Sequence, residues 1–299
     1  MNAATACLLA ALALLALWYI WRWSVLERDR RLRGPHGSRR PRVSDAAIGF
    51  AANFFDTLGI GSFAPTTAIF KLLGRVPDEE IPGTLNAGHA LPTVTEALIF
   101  IAVVTVDLPT LISMIGAAVV GAWLGVRIVA RLPRRAIQVG MGVALLIAAF
   151  LFLATNLHLM PGGGEALALR GGRWVFAVCV SFILGALMML GIGLYAPCLI
   201  LVSLLGMNPL AAFPIMMGAC AFLMPIGGAG FIKRGRYNLR AALGLTLGGI
   251  PGVLVAAFIV KSLPIQWLRW LVVVVVFYAA VQMLASARRE VANPALSQN

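Results

Sequence analysis

Residues 58–65 read Leu-Gly-Ile-Gly-Ser-Phe-Ala-Pro and residues 190–197 read Leu-Gly-Ile-Gly-Leu-Tyr-Ala-Pro, so one motif occurs twice at a spacing of 132 residues. The same offset carries Leu72, Leu73, Gly74, Pro77 and Pro82 onto Leu204, Leu205, Gly206, Pro209 and Pro214. Repetition at so long a period points to two halves of one structure, not to a solenoid. In a membrane protein, Gly/Pro-interrupted apolar segments at corresponding positions of two halves point to a transporter's binding site.

Composition places the chain in a membrane. Of 299 residues, 61% are hydrophobic and 12% charged, against roughly 25% charged in a soluble domain. Stretches such as 85–106, 110–128 and 267–285 approach the ~20 apolar residues that cross a hydrocarbon core. Lipid offers no partner to an open backbone group, so these spans are helices. The net charge of +13 comes from Arg and Lys placed in loops, with no stripe on a soluble face. That placement argues against nucleic acid and suits topology, and also an anionic substrate. Cys7, Cys179, Cys198 and Cys220 lie in apolar runs without CxxC spacing, which indicates neither disulfide nor zinc site. No metal and no cofactor is expected.

Residues 3–20 are apolar and are followed by Arg22, Arg28, Arg30, Arg31, Arg33, Arg39, Arg40 and Arg42. A cleavable signal peptide has the opposite order. Residues 1–23 are therefore expected as an uncleaved transmembrane anchor and 24–42 as an Arg-rich cytosolic linker. Positive loops face the cytoplasm, which puts 22–42, 127–135, 233–240 and Arg288 with Arg289 inside. The loops near Asp107, 162–164 and Pro264 fall outside. Residues 83–106, 110–128 and 136–157 then run outward, inward and outward, and 211–232, 239–260 and 267–285 run inward, outward and inward.

Residues 43–74 must begin and end inside, and 173–206 must begin and end outside. About 32 residues suit two half-helices of roughly 12–15 residues, each about 20 Å long, with the repeated motif at the tip of a re-entrant hairpin. The expected fold is an all-α polytopic membrane protein of two inverted-topology repeats, 43–160 and 171–287, each a hairpin plus three spans. Residues 288–299 form a cytosolic tail. The alternative, one kinked crossing per long segment with parallel repeats, strands an Arg cluster outside.

Gly59 and Gly61, like Gly191 and Gly193, allow the backbone conformations of a reversal and close approach of a ligand. Pro65 and Pro197 suit the first turn of the following half-helix. N–H groups at 61–64, 66, 67, 193–196 and 198 would be free at mid-depth, where the helix dipole favours an anion. Ser62, Thr66, Thr67, Tyr195 and Cys198 supply hydroxyl and thiol groups beside the tips. The plainer reading is a pair of glycine kinks for close packing.

Asp56, His89 and Glu96 lie inside apolar segments, where an ionisable residue is a functional candidate. An ionised Asp56 would repel an anion, so protonation before binding would make it a proton-coupling residue. The alternative is an Asp bonded to free N–H groups of its own hairpin. Glu96 either neutralises a charge on another helix or faces a wet cavity, and His89 reads as a hydrogen-bonded packing residue with coupling as the alternative. Asn53 and Asn86 are expected to support broken backbone. The second copy of the motif carries Met188 where the first carries Asp56.

With its two Gly-x-Gly-x-x-x-Pro elements, Gly59 to Pro65 and Gly191 to Pro197, and the Leu-Leu-Gly after each, the chain resembles the sulfite exporter TauE/SafE family, also called toluene sulfonate uptake permeases. The resemblance spans about 43–284, with the N-terminal anchor and linker looking like an addition. It implies a multi-pass permease of the cytoplasmic membrane moving sulfite, sulfonates or organosulfur carboxylates such as sulfoacetate. The expected mechanism is secondary active transport by alternating access, with H+ as coupling ion and the lipid bilayer as surroundings. Oligomeric state and transport direction stay open. An anion channel is the alternative, although these segments lack a continuous polar lining. A membrane-embedded redox enzyme with Cys198 as nucleophile and His89 as base is the other, against which there is no HExxH, no helical His pair and no two-carboxylate constellation on one segment.

Overall fold

The computed structural model describes residues 3–32, 40–159, 164–191 and 193–258, with isolated residues between 270 and 288. Among them the chain is all-helical, apart from one isolated bridge between Ala166 and Met207. Its helices are α1 (Ala3–Leu32), α2 (Val43–Thr57), α3 (Phe63–Leu73), α4 (Ile81–Gly88), α5 (Ala90–Val103), α6 (Leu108–Val129), α7 (Arg134–Asn156), α8 (Gly171–Met188), α9 (Tyr195–Leu204), α10 (Ala212–Arg234) and α11 (Leu239–Phe258). Six are long and apolar enough to cross a membrane, α1, α6, α7, α8, α10 and α11. The expected span 267–285 is described only at scattered residues, and the loop 162–164 and the tail 288–299 lie largely outside the described residues.

Both long segments are helix-turn-helix units. The first has arms of 15 and 11 residues, about 22 and 16 Å, as the sequence predicts. The second is unequal: α9 has 10 residues but α8 has 18, about 27 Å and longer than the expected half-helix. The expected single span 83–106 is also corrected, because it breaks at His89 into α4 and α5. Pro92 has no N–H for the Gly88 carbonyl. The Thr246 hydroxyl donates to that carbonyl instead, at 2.8 Å.

Charged contacts tie one end of the bundle together. Lys71 pairs with Asp78 at 2.7 Å, Gln138 donates to Asp78 at 2.8 Å, and Arg134 and Arg75 approach Glu79 and Asp45 at 3.6 and 4.0 Å. Arg236 donates to the Ala130 and Leu132 carbonyls, and the Asn238 N–H to Thr84. At this end α2 starts and α3 finishes. The other end joins the start of α6 to the start of α8 and the finish of α9. Arg170 clasps Asp107 at 2.9 and 3.0 Å, Trp174 donates to Ser113, and the Asn208 N–H donates to Ala166.

The first arm of each hairpin lies on a span of the other half. Gly244, Gly248 and Gly252 of α11 leave no room for a Cβ against Asp45, Ala46 and Phe50 of α2. Gly121 and Gly125 of α6 meet Phe182 and Ala186 of α8, and Gly185 of α8 meets Ala118. Glycines at four-residue spacing let backbones touch where lipid provides no hydrophobic drive. Outward from the seam, Ile112, Val120, Trp123 and Ile128 of α6 are exposed, as lipid-facing side chains are.

The N-terminal helix is no loose anchor. It runs past residue 23 to Leu32, into the stretch expected as linker, while residues 33–39 lie outside the described ones. Tyr19 donates to the Ala87 carbonyl at 3.0 Å beside the α4–α5 break. Trp23 donates to the Tyr237 hydroxyl at 3.1 Å, and that hydroxyl donates to Glu27, which Arg30 pairs at 3.0 Å.

Gly248→Leu forces a side chain into the Ala46 carbonyl and should lower stability by about 1–3 kcal/mol or more, read as an early fluorescence size-exclusion melting transition. Gly116→Ala, at a position with no neighbour within 4 Å, should melt no lower than wild type. At the other end, the hydrogen bond from Arg170 is the largest cause holding the Asp107 carboxyl well below the usual carboxylate range. The clasp's stabilisation is therefore complete above about pH 4 and lost as acid passes through the lowered value. The melting difference between wild type and Asp107→Asn should stay constant from about pH 7 to 4.5 and shrink below about pH 4.

Candidate functional site

The two tips meet at the centre of the bundle. In the first, α2 ends with the Gly59 N–H on the Asp56 carbonyl at 2.8 Å and the Ile60 N–H on the Phe55 carbonyl at 3.1 Å. Gly59 and Gly61 both have φ +88° and Gly191 has φ +94°, the left-handed region that L side chains avoid. At Gly193 a Cβ would make ordinary contact with Phe63 at 3.8 Å.

Helix starts also differ from expectation. The Thr66 N–H bonds the Ser62 carbonyl at 3.1 Å and the Cys198 N–H bonds the Leu194 carbonyl at 3.0 Å. Those two donors are therefore not free, because each half-helix begins two residues before its proline, at Phe63 and Tyr195. Pro65 and Pro197 sit in these first turns, where no N–H is required.

Between the tips is a cavity of about 10 Å³, the size of one water. Gly61, Ser62 and Asp56 line it from the first hairpin, and Gly193, Tyr195 and Met188 from the second. Thr93 of α5 and Cys220 with Met224 of α10 close the sides. Gly59, Gly191, Pro65, Pro197, Thr66 and Cys198, all expected as ligand contacts, do not line this cavity. Gly59 faces the Phe213 ring and Gly191 faces Met141, so these glycines shape the turns. Cys198, the thiol of the enzymatic alternative, is buried outside the lining.

Asp56 is 1% exposed. The Ser62 hydroxyl and backbone N–H are directed at its carboxyl, while Oδ1 has no hydrogen-bond partner. One side of the carboxyl thus caps its own hairpin, and one oxygen has no partner. Glu96 is fully buried and joins the tips, receiving the Tyr195 hydroxyl at 2.7 Å on Oε2 and facing the Thr57 hydroxyl at 2.9 Å from Oε1. The Thr57 hydroxyl also lies 2.8 Å from the Asn53 carbonyl.

His89 is buried one layer back. Its Nδ1 lies 3.0 Å from Asn53 Oδ1 and its Nε2 3.2 Å from the Thr66 hydroxyl. The Asn53 amide N–H donates to the Gly49 carbonyl at 2.7 Å, which makes Oδ1 the acceptor and gives His89 Nδ1 its proton. Asn86 donates to the Pro82 carbonyl at 2.8 Å within α4 and so supports the helix before the break. Sequence reasoning missed Thr57, Thr93, Cys220 and Met224 as site residues. Cys220 and Met224 stand four apart on one helix face, but an apolar face is also what packing requires.

These features define a polytopic membrane protein whose enclosed polar site lies between two broken-helix tips. The chain belongs to the sulfite exporter TauE/SafE family, whose model matches residues 1–152 and 174–298. It is thus a multi-pass membrane transporter of a permease family, not an enzyme. The match begins at residue 1, so the N-terminal helix lies within the family's span and is not an addition to it. No curated protein and no solved structure matches the chain.

A methyl group at Gly61 enters the left-handed region, which costs roughly 1–2 kcal/mol. Gly61→Ala should lower the melting temperature relative to wild type, as a thermal-shift assay in detergent would show.

Proposed function

We propose that the protein is a secondary active carrier of small sulfur-containing oxyanions, sulfite, sulfonates or sulfoacetate, coupled to protons and working by alternating access. The single observation that carries this reading is the pair of buried carboxyls at the tips, Asp56 with an open oxygen on the cavity and Glu96 bonded across both hairpins. An anion crossing a low-dielectric core is strongly disfavoured unless paired. A proton on Asp56 turns Oδ1 from a repelling acceptor into a donor for the anion.

Hydrogen-bond accounting favours a proton on Glu96 in this closed arrangement. The Thr57 hydroxyl has one proton and two acceptors in reach, the Asn53 carbonyl and Glu96 Oε1. A neutral Glu96 settles the conflict by donating to Thr57, which then donates to Asn53. Parting the tips must break this chain or the bond from Tyr195, so proton loss and opening are one event.

The two halves are read as inverted repeats. Under the 132-residue offset α2 corresponds to α8 and α6 to α11. The seams α2 with α11 and α8 with α6 are then one contact made twice with the halves exchanged, as a pseudo-two-fold axis requires. The charged end faces the cytoplasm of the inner membrane.

Uptake of radiolabelled sulfite, sulfoacetate and taurine into proteoliposomes tests the proposal. With one proton per anion, a gradient of one pH unit should raise accumulation of the true substrate about tenfold, and flux should saturate. Asp56→Asn should bring that stimulation to about one; an intact gradient response in this variant sinks the coupling role of Asp56. Glu96→Gln, which reproduces a neutral carboxyl, should fold normally and lose gradient dependence, whereas Glu96→Ala leaves Tyr195 and Thr57 unpaired and should cost about 1–3 kcal/mol. Non-saturating flux would favour the channel.

A further inference from the structure

A crevice of about 650 Å³ opens between α1 and the first turns of α11, with α5 as its back wall, well apart from the central cavity. Ile20, Trp23, Leu91, Leu239 and Leu243 give it apolar walls, and Arg28 and Arg40 stand exposed at its mouth. The polar groups on the walls are engaged within the protein. Trp23 donates to Tyr237, Ser24 to the Ile20 carbonyl at 2.8 Å, and Thr246 to the Gly88 carbonyl at 2.8 Å. Glu27 holds Arg30 and Tyr237. Arg28 and Arg40 carry no ion pair among the described residues.

The crevice therefore offers two guanidiniums without an ion-pair partner above walls that are mainly apolar and whose polar groups are engaged within the protein. Ile20 lies two helical turns below Arg28, and Thr246 two turns below the start of α11 at Leu239, a depth of roughly 10–12 Å. A soluble anion would use the mouth and leave the interior empty, and a lipid without net charge would leave the charge of the arginines unbalanced. An amphiphile with a phosphate at the mouth and a hydrocarbon chain beneath satisfies both.

We propose that this crevice is a binding site for one anionic glycerophospholipid, its phosphate on Arg28 and Arg40 and an acyl chain against Ile20, Leu91 and Leu243. Basic pockets between transmembrane helices recognise anionic headgroups in this way. The bound lipid fills the gap between α1 and α11, and through Tyr19 on the Ala87 carbonyl it steadies the helix break that carries His89. This site does not depend on the transport reading.

Native mass spectrometry of the full-length protein titrated with phosphatidylglycerol, phosphatidylethanolamine and inorganic phosphate tests it. Phosphatidylglycerol should bind about thirtyfold more weakly to Arg28→Gln/Arg40→Gln, at roughly fivefold per arginine. Leu243→Trp, which fills the interior and keeps both charges, should also lose the lipid. Phosphatidylethanolamine should bind wild type and the double variant alike, and phosphate at millimolar concentration should not displace phosphatidylglycerol. Unchanged phosphatidylglycerol binding in either variant overturns the proposal, as does displacement by phosphate, which would mark a free-anion site. If the double variant does not fold, Leu243→Trp and the phosphate competition decide the question alone.

Discussion

A backbone turn in the middle of a membrane is tolerated only where protein encloses it, because lipid satisfies no N–H or carbonyl group. This chain breaks an apolar helical segment inside the bundle twice, after Thr57 and after Met188. Everything else in the fold serves to enclose those turns. Each hairpin's first arm is seated on a span of the other half through glycines that leave no room for a side chain. Each tip also packs against its own half, Thr57 on Glu96 in the first and Met188 on Cys220 in the second, but the space between the tips is lined from both halves. The central site is what this mutual covering leaves: two buried helix starts with a small cavity between them.

The halves share this backbone plan and divide the chemistry. The first supplies Asp56 and, linked by hydrogen bonds, Thr57, Asn53, His89 and Glu96. The second supplies one hydroxyl, that of Tyr195, and a wall of sulfur side chains, Met188, Cys220 and Met224. Polarizable sulfur packs adaptably and imposes little directional demand. The first half therefore carries charge and direction, and the second adapts its shape. The same division appears in the spans behind the tips. In the first half the helix is broken at His89, while its counterpart α10 continues through Pro225.

Much of the architecture was legible in the chain. Glycine and proline have few uses in an apolar segment, so Gly59, Gly61, Gly191, Pro65 and Pro197 located both turns. Asp56 and Glu96 were legible because a carboxyl at that depth is costly unless it has a purpose. What could not be read was partnership. Gly244, Gly248 and Gly252 announce a close contact but not with which helix, since any small-residue face fits any other. For the same reason Thr57 and Thr93 were missed, as a threonine in a membrane helix ordinarily bonds its own preceding turn. Thr57 does so, and its bond to Glu96 depends on a helix 39 residues away. The break at His89 was overlooked because Pro92 is compatible with a kinked helix. It took Thr246, far along the chain, to stabilise the opened carbonyl.

The glycine seams also set a schedule for assembly. When α8 leaves the ribosome, its partner α6 is already in the membrane. The first hairpin has no such advantage, because α2 ends at Thr57 and its partner α11 begins at Leu239. At ribosomal speeds of about 5–20 residues per second, that interval is on the order of 10–40 s. Throughout it, Asn53, Asp56 and Thr57 sit on a short helical pair with no permanent neighbour along one face. The newborn chain thus spends most of its synthesis with this face of its candidate site uncovered, until α11 arrives.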